Sequence, residues 1–397
     1  MLRFASSPCL SLFVVLLGAS PTALAQTIPV TNVEELYAAV NDPAHAGATV
    51  VLSPGTYVLS ARDPFDAPRP NAGRLHLQRD MSLTGVEGDR GAVVISAIDL
   101  PQSSFPTNGI PAGPNAAVRM GLGHNAIEWV TVRDARFAQA NIDSGLQALD
   151  PSDAFIRIAH VASSGSTRGL NVLNFGPATS GQTIEAEVVD SQFFDNVISL
   201  SEGMRFGNFQ GARGSTVNVW MSGNLAWGQK QGRLVVNNRA IESTVNVRSS
   251  GNRFHENGAG TIIVGGLSSN DTRADGNTIT FEAHGDTFVG NTRETDFDHG
   301  GLVVLGTEDI STAGGGSGNT VHVRLWGCRM ADNEVADLVA IGARWLSPGA
   351  AGHSVGNGVT VEILGAGNGR GRWQPTESVA DSVPDGPYGN VAEVIRD

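Results

Sequence analysis

The sequence predicts an all-β solenoid, one coil per repeat, closed at its N-terminal end by a short helical cap. Three observations carry this. Six segments of alternating hydrophobicity align with one another, a second apolar run follows four of them, and the length that varies between units sits in polar loops. The segments are TIEAEVVDSQFFDN from Thr183, TVNVWMSGNLAWGQ from Thr216, TVNVRSSGNRFHEN from Thr244, TITFEAHGDTFVGN from Thr278, TVHVRLWGCRMADN from Thr320 and VTVEILGAGNG from Val359. Their first apolar anchors, Ile184, Val217, Val245, Ile279, Val321 and Val359, stand 33, 28, 34, 42 and 38 residues apart. The second runs are GRLVVNN at Gly232, GTIIVGG at Gly260, GGLVVLG at Gly300 and ADLVAIG at Ala336. A constant core with loops of free length is the signature of stacked coils.

Each alternating segment is too short for a helix, and its period of two buries every other side chain. Stacked at the inter-strand spacing of about 4.8 Å, each strand pairs with its equivalents above and below. Asn196, Asn257, Asn291 and Asn333 share one position in the repeat. An asparagine there tolerates a left-handed bend and bonds to its neighbours, so an internal ladder is expected. The bottom edge of such a stack would recruit other chains if left open. Residues 31–41 supply a cover: Thr31-x-x-Glu34 reads as a capping box, followed by an amphipathic turn through Leu36, Ala39 and Val40.

Residues 1–25 read as a leader, with Arg3, an apolar stretch from Leu10 to Leu17 and an Ala23-Leu24-Ala25 cleavage site. The expected division is 1–25 signal peptide, 26–60 cap helix and first strand, 61–365 parallel solenoid, and 366–397 a C-terminal tail packing on or leaving it. Without Cys9 the exported chain keeps only Cys328, so its stability comes from packing and not from disulfides. No later apolar run approaches the roughly 20 residues of a membrane span. A secreted or periplasmic protein is expected.

Composition narrows the partners. Glycine supplies 50 of 397 residues and charged residues only 16%, which favours tight turns over solvated helices, while 41% hydrophobic residues can build a large core. The net charge of −13 argues against a nucleic-acid binder.

TNVEELYAAV, then ATVVLSPGTYVLS, then coils of the pattern V-x-V-x-x-x-G-N-x-F-x-x-N resemble the right-handed parallel β-helix proteins of the pectate-lyase-like superfamily. The resemblance spans residues 31–365 and implies that fold, with substrates on the sheet made by the second apolar run. It implies a polysaccharide or oligosaccharide partner without choosing among lyases, hydrolases, epimerases, tailspikes and noncatalytic surface proteins. The Asp298-His299 pair is only a fragment of the Asp-Pro-His-Asp signature of the resembling epimerases.

With Leu234, Val236, Ile262, Val264, Leu302 and Val304 taken as inward, the outward residues of that sheet are Arg233, Val235, Asn237 and Arg239, then Thr261 and Ile263, then Val303 and Leu305. The early coils thus present polar groups and the later ones hydrocarbon, which calls for a cover by a loop, the C-terminal stretch or a homo-oligomer, or else for an apolar ligand. Residues 203–241 hold Arg205, Arg213, Lys230, Arg233 and Arg239 with no acid, flanked by Glu202 and Glu242. Gathered on one face, these groups need a bound anion or acids folded back over them. Lys230 is the chain's one lysine.

Three functions stay open. A lyase for an acidic glycan would use Lys230 as base, with Arg205 and Arg239 neutralising the uronate carboxylate and Arg233, Asn237, Arg213 and Glu202 binding substrate. A Lys and an Arg in these roles are what the resemblance to chondroitinase-B-like enzymes implies, without assigning positions. A glycoside hydrolase or transglycosylase needs two opposed carboxylates, Glu202 with Glu242 or Glu282 with Asp286. A noncatalytic binding protein needs neither. A second constellation follows from the first strands, where Glu187, Trp220, Arg248, Glu282, Arg324 and Glu362 form one outward column and Val189, Ser222, Ser250, His284, Trp326 and Leu364 the next. It reads as a salt-bridge ladder, or as a carbohydrate platform with Trp220 and Trp326 as stacking faces and Glu282, His284 and Asp286 as an acid/base group. That group has poor spacing for a divalent cation. No cofactor is expected, and calcium stays open without a ligand motif.

Overall fold

A computed structural model describes residues 26–101, 116–135, 140–144, 154–196, 201–269, 272–292, 300–310, 315–334, 336–346, 354–365, 377–383 and 389–397. The leader, the proline-rich stretch after Leu100, Asp298 and His299 lie outside the described residues. Within them the chain winds into three all-parallel sheets of twelve, ten and nine strands, a right-handed parallel β-helix. A typical coil runs Thr216–Ser222 in the twelve-strand sheet, Leu225–Trp227 in the nine-strand sheet and Gln231–Asn238 in the ten-strand sheet.

The alternation of the first strands is realised in register. Ile184, Val217, Val245, Ile279, Val321 and Val359 stack as one buried column. Phe193, Ala226, Phe254, Phe288 and Met330 form the inner column of the nine-strand sheet. Between these two sheets the chain bends at a glycine with positive φ, as at Gly223, Gly251, Gly285 and Gly327, where a Cβ would be strained.

Each of the three corners carries a polar ladder. The expected one contains Asn196, Asn257, Asn291 and Asn333, and Gln229 fills the vacant rung by accepting from Asn196 Nδ2 at 3.1 Å. A second runs Ser191, Asn224, Asn252, Asp286, with each backbone N–H donating to the next side-chain oxygen. The third runs Ser243, Asn277, Asn319, Asn357, Asn390 in the same way. The corner before the ten-strand sheet also stacks Gly169, Gly203, Gly232 and Gly260. A Cβ on Gly232 would come within 2.6 Å of the Gly260 carbonyl oxygen.

The helix Val33–Asn41 buries Leu36, Tyr37, Ala39 and Val40 over the N-terminal end of the core. Its capping box lies one residue later than expected. Asn32 is the N-cap, accepting from Glu35 N at 3.0 Å, and the Glu35 carboxylate accepts from Thr31 N at 2.7 Å. At the other end, Glu377–Val383 pairs with Leu338–Trp345 and Val391–Arg396 with Gly358–Leu364, so the stretch beyond residue 365 adds a strand to each of two sheets.

The ten-strand sheet corrects the orientation read from its sequence. Leu234 pairs with Ile262 and Ile262 with Val303, not with Leu302. Arg233, Val235, Asn237, Thr261 and Ile263 therefore face inward with Leu302 and Val304, while Leu234, Val236, Ile262 and Val264 face outward. Apolar residues run through both faces of this sheet, as expected where both faces are covered, so periodicity alone does not choose between the two registers. The outward stripe of Val236, Ile262, Val264, Val303, Leu305, Val339 and Ile341 is itself buried, at most 6% exposed within the single chain.

Candidate functional site on the outer sheet faces

The outward column of the ten-strand sheet starts polar and ends apolar. In register it reads His76, Arg119, Asp143, Asn171, Arg205, Leu234, Ile262, Val303 and Val339. The polar half is largely withdrawn from solvent. Asn171 is fully buried, and neither its amide nitrogen nor its amide oxygen has a hydrogen-bond partner. Such a group is costly unless something else satisfies it. Burial, helped by the charge of Arg119, pushes His76 down to about 4, so its imidazole is neutral at neutral pH.

Beside Asn171, Glu202 is 1% exposed and bonds at once to Arg168 and Arg205. Burial also lowers Arg205 to about 10, still charged at neutral pH, and its guanidinium extends over the Phe209 ring at 5.4 Å. Among the described residues of this half-face, Arg119, Arg168 and Arg205 outnumber Asp143 and Glu202. Planar guanidinium forks beside an unpaired amide suit a carboxylate.

The five basic residues of segment 203–241 do not share one face. Arg205 lies on the outer face. Arg213 stands on an exposed corner, 3.6 Å from Glu242. Arg233 is wholly inside, sandwiched between the rings of Phe254 and Phe281 at 4.5 and 4.6 Å. There it donates to Ser249 Oγ at 2.9 Å and lies 3.7 Å from Asp286. Asn237 is also internal and accepts from Asn208 Nδ2 at 2.8 Å. Neither Arg233 nor Asn237 can touch a substrate, which corrects their expected role.

Lys230 immediately precedes Gln231–Asn238 and Arg239 immediately follows it. The eight strand residues between them set the two about 30 Å apart, so one sugar cannot meet both. Arg239 takes positive φ at the bend and donates from Nε to Asn238 Oδ1 at 3.3 Å. Lys230 is half-buried, its N–H donating to Ser201 Oγ at 3.0 Å, and its amine has no ion pair among the described residues. Three of the five are met by acids folded back over the segment: Arg205 by Glu202, Arg213 by Glu242 and Arg233 by Asp286.

The outer face of the twelve-strand sheet is arranged as its alternation predicts. Glu187, Trp220, Arg248, Glu282, Arg324 and Glu362 stand in one column and Val189, Ser222, Ser250, His284, Trp326 and Leu364 in the next. The charges form ion pairs: Glu282 lies 3.5 Å from Arg248 and 3.7 Å from Arg324, and Arg324 lies 3.2 Å from Glu362. His284 stacks on Trp326 at 4.3 Å. Asp286 does not join Glu282 and His284: it is fully buried and accepts from Ser249 Oγ and from Asn252 N, so the expected acid/base triad is broken by the Gly285 bend. Two hollows, of about 390 and 210 Å³, flank Trp220, Arg248 and Glu282.

Among the described residues no three His, Cys, Asp or Glu side chains gather as a metal site, and no helix is long and apolar enough to cross a membrane. Sequence reasoning missed His76, Arg119, Asp143, Arg168 and Asn171. They lie in the early coils, ahead of the first segment that aligns with the repeat, so nothing set them in register with Arg205.

No family model and no curated protein matches the chain. Solved structures similar to it include pectate lyase Pel9A, 15% identical over 78% of each chain with a TM-score of 0.37. The A-module of the Azotobacter vinelandii mannuronan C-5 epimerase AlgE4 is 14% identical over 93% of this chain and 97% of its own, with a TM-score of 0.34. PfbA, a surface adhesin of Streptococcus pneumoniae, is 10% identical over 90% and 89%, with a TM-score of 0.25. Similarity of this size carries no argument about function; the fold, a right-handed parallel β-helix, rests on the three all-parallel sheets.

Proposed function

We propose that this is an exported β-helix protein that acts on an acidic, uronate-containing glycan by β-elimination, on the polar half of the ten-strand sheet. The observation that carries the reading is the outward column of Arg119, Asp143, Asn171 and Arg205, in which the Asn171 amide is left unsatisfied. In this reading Arg205, supported by Glu202 and Arg168, neutralises the uronate carboxylate and acidifies the adjacent ring proton. Lys230 is the base. It lies level with Ser201, four residues or about 13 Å along the strand from Arg205, a gap that two long side chains span around one sugar ring. The amine takes the C5 proton, the released electron pair forms the C4–C5 double bond, and the bond from C4 to the glycosidic oxygen breaks, that oxygen taking a proton from solvent. Arg239, at the far end of its strand, has no part in the reaction.

The hydrolase alternative lacks support from its carboxylate pairs. Asp286 points into the core while Glu282 points out, and Glu202 opens its strand in the ten-strand sheet while Glu242 lies on the corner beyond the far end of that sheet.

The test is the ultraviolet absorbance of the unsaturated uronate during incubation with a panel of uronate polymers. Lys230→Ala and Arg205→Ala should each slow its appearance about 100-fold or more, with Arg239→Ala close to the parent. Absence of the chromophore on every polymer, or undiminished turnover by Lys230→Ala, overturns the reading.

A further inference from the structure

We infer that the outer face of the twelve-strand sheet is a separate binding surface for a neutral oligosaccharide, with Trp220 as its stacking ring. The inference rests on residues that the elimination reading does not use. The other described tryptophans have their ring faces occupied or are buried. Trp129 stacks on His160 at 3.8 Å, Trp227 on Phe194 at 4.5 Å and Trp326 on His284 at 4.3 Å, and Trp345 is 7% exposed. Trp220 is 37% exposed, and among the described residues no ring or cation packs on it. An indole face left bare in this way is a platform for the C–H face of a sugar.

The surroundings select the ligand. A hollow of about 390 Å³ lies beside Trp220. Its polar lining beyond the ion-paired Arg248 and Glu282 comes from Asn218, Asn246, Thr280 and Glu185. Asn246 donates to Asn218 Oδ1 at 2.9 Å, which holds both amides in a fixed orientation at the groove floor. The smaller hollow on the other side adds Ser222 and Ser250. Amides and hydroxyls offer donors and acceptors in mixture, as sugar hydroxyls require. The arginines of this face are already matched by Glu282 and Glu362, so nothing remains to hold an anionic polymer. A neutral glycan fits this charge pattern, whereas the ten-strand face favours an acidic one.

The experiment is isothermal titration of the full chain with cello-, xylo-, manno- and malto-oligosaccharides, none of which carries a uronate, so its outcome is independent of the elimination assay. At least one series should bind. Trp220→Ala should weaken that binding about tenfold or more, Asn246→Ala should weaken it less, and Trp220→Phe should recover part of the loss. Arg253→Ala, exposed on the nine-strand sheet, serves as the control and should bind as the parent does. Trp220 lies outside the core, so thermal melting of its variants should match the parent. The inference is overturned if no series binds, or if Trp220→Ala binds as tightly as the parent.

Discussion

At Arg233 a charged side chain occupies a place in the core that Met204, one coil before it, fills with hydrocarbon and Thr261, one coil after it, fills with a small side chain. Two aromatic rings, Ser249 and Asp286 make that position tolerable, while burial lowers the guanidinium to about 10. Removing one partner strands the other. Arg233→Met should therefore cost about 3–5 kcal/mol, and Arg233→Met with Asp286→Leu distinctly less, as read from chemical denaturation of the two variants. Burial also pushes the Cys328 thiol up to about 12. The native protein should thus resist alkylation by iodoacetamide at neutral pH and react only when unfolded. His76 links stability to pH. Its folded value of about 4 lies below the ordinary value of 6.5, so between these the unfolded chain binds more protons. Its contribution is complete above about pH 6.5 and is lost as the pH falls through 4, an effect of up to about 3 kcal/mol. His76→Phe should flatten the pH dependence of the melting temperature within that window.

Among the elements, the corner ladders set the pitch of the coils. Asn319 accepts from Asn277 N and Nδ2 and donates to Asn357 Oδ1 and the Ala274 carbonyl. Asn319→Ala leaves buried donors and acceptors in both adjoining coils unpaired. It should lower stability by about 1–3 kcal/mol or more, measured by urea titration. The glycine column constrains the same spacing from the other direction, since the Gly232 position has no room for a methyl group against the Gly260 carbonyl. In both cases the cause is the close stacking of consecutive coils, which makes one residue's environment depend on its equivalents above and below.

For the molecule as a whole, a stack of coils is only as soluble as its ends. The cap helix seats Leu36 and Val40 at zero exposure, and Tyr37 donates its hydroxyl to the Gly73 carbonyl at 2.7 Å. Leu36→Asp should unseat the helix and leave the first coil's edge open to other chains. The expected result is concentration-dependent association in light scattering, while the parent keeps its own state.

Periodicity, the position of asparagines and the glycine bends were enough to read the solenoid, its cap, one of its ladders and the outward columns of the twelve-strand sheet. These are local regularities repeated along the chain, and repetition turns a weak signal into a register. The ten-strand sheet was different because apolar residues run through both its faces. There the register, and with it the burial of Arg233 and Asn237, was decided only by how neighbouring coils stack. The polar cluster of His76, Arg119, Asp143, Asn171 and Arg205 was likewise invisible, since its members come from separate coils and meet only through strand pairing. The 30 Å between Lys230 and Arg239 belongs to the same class of fact. Nine positions apart is near in sequence, but an extended strand holds its two ends as far apart as the backbone allows.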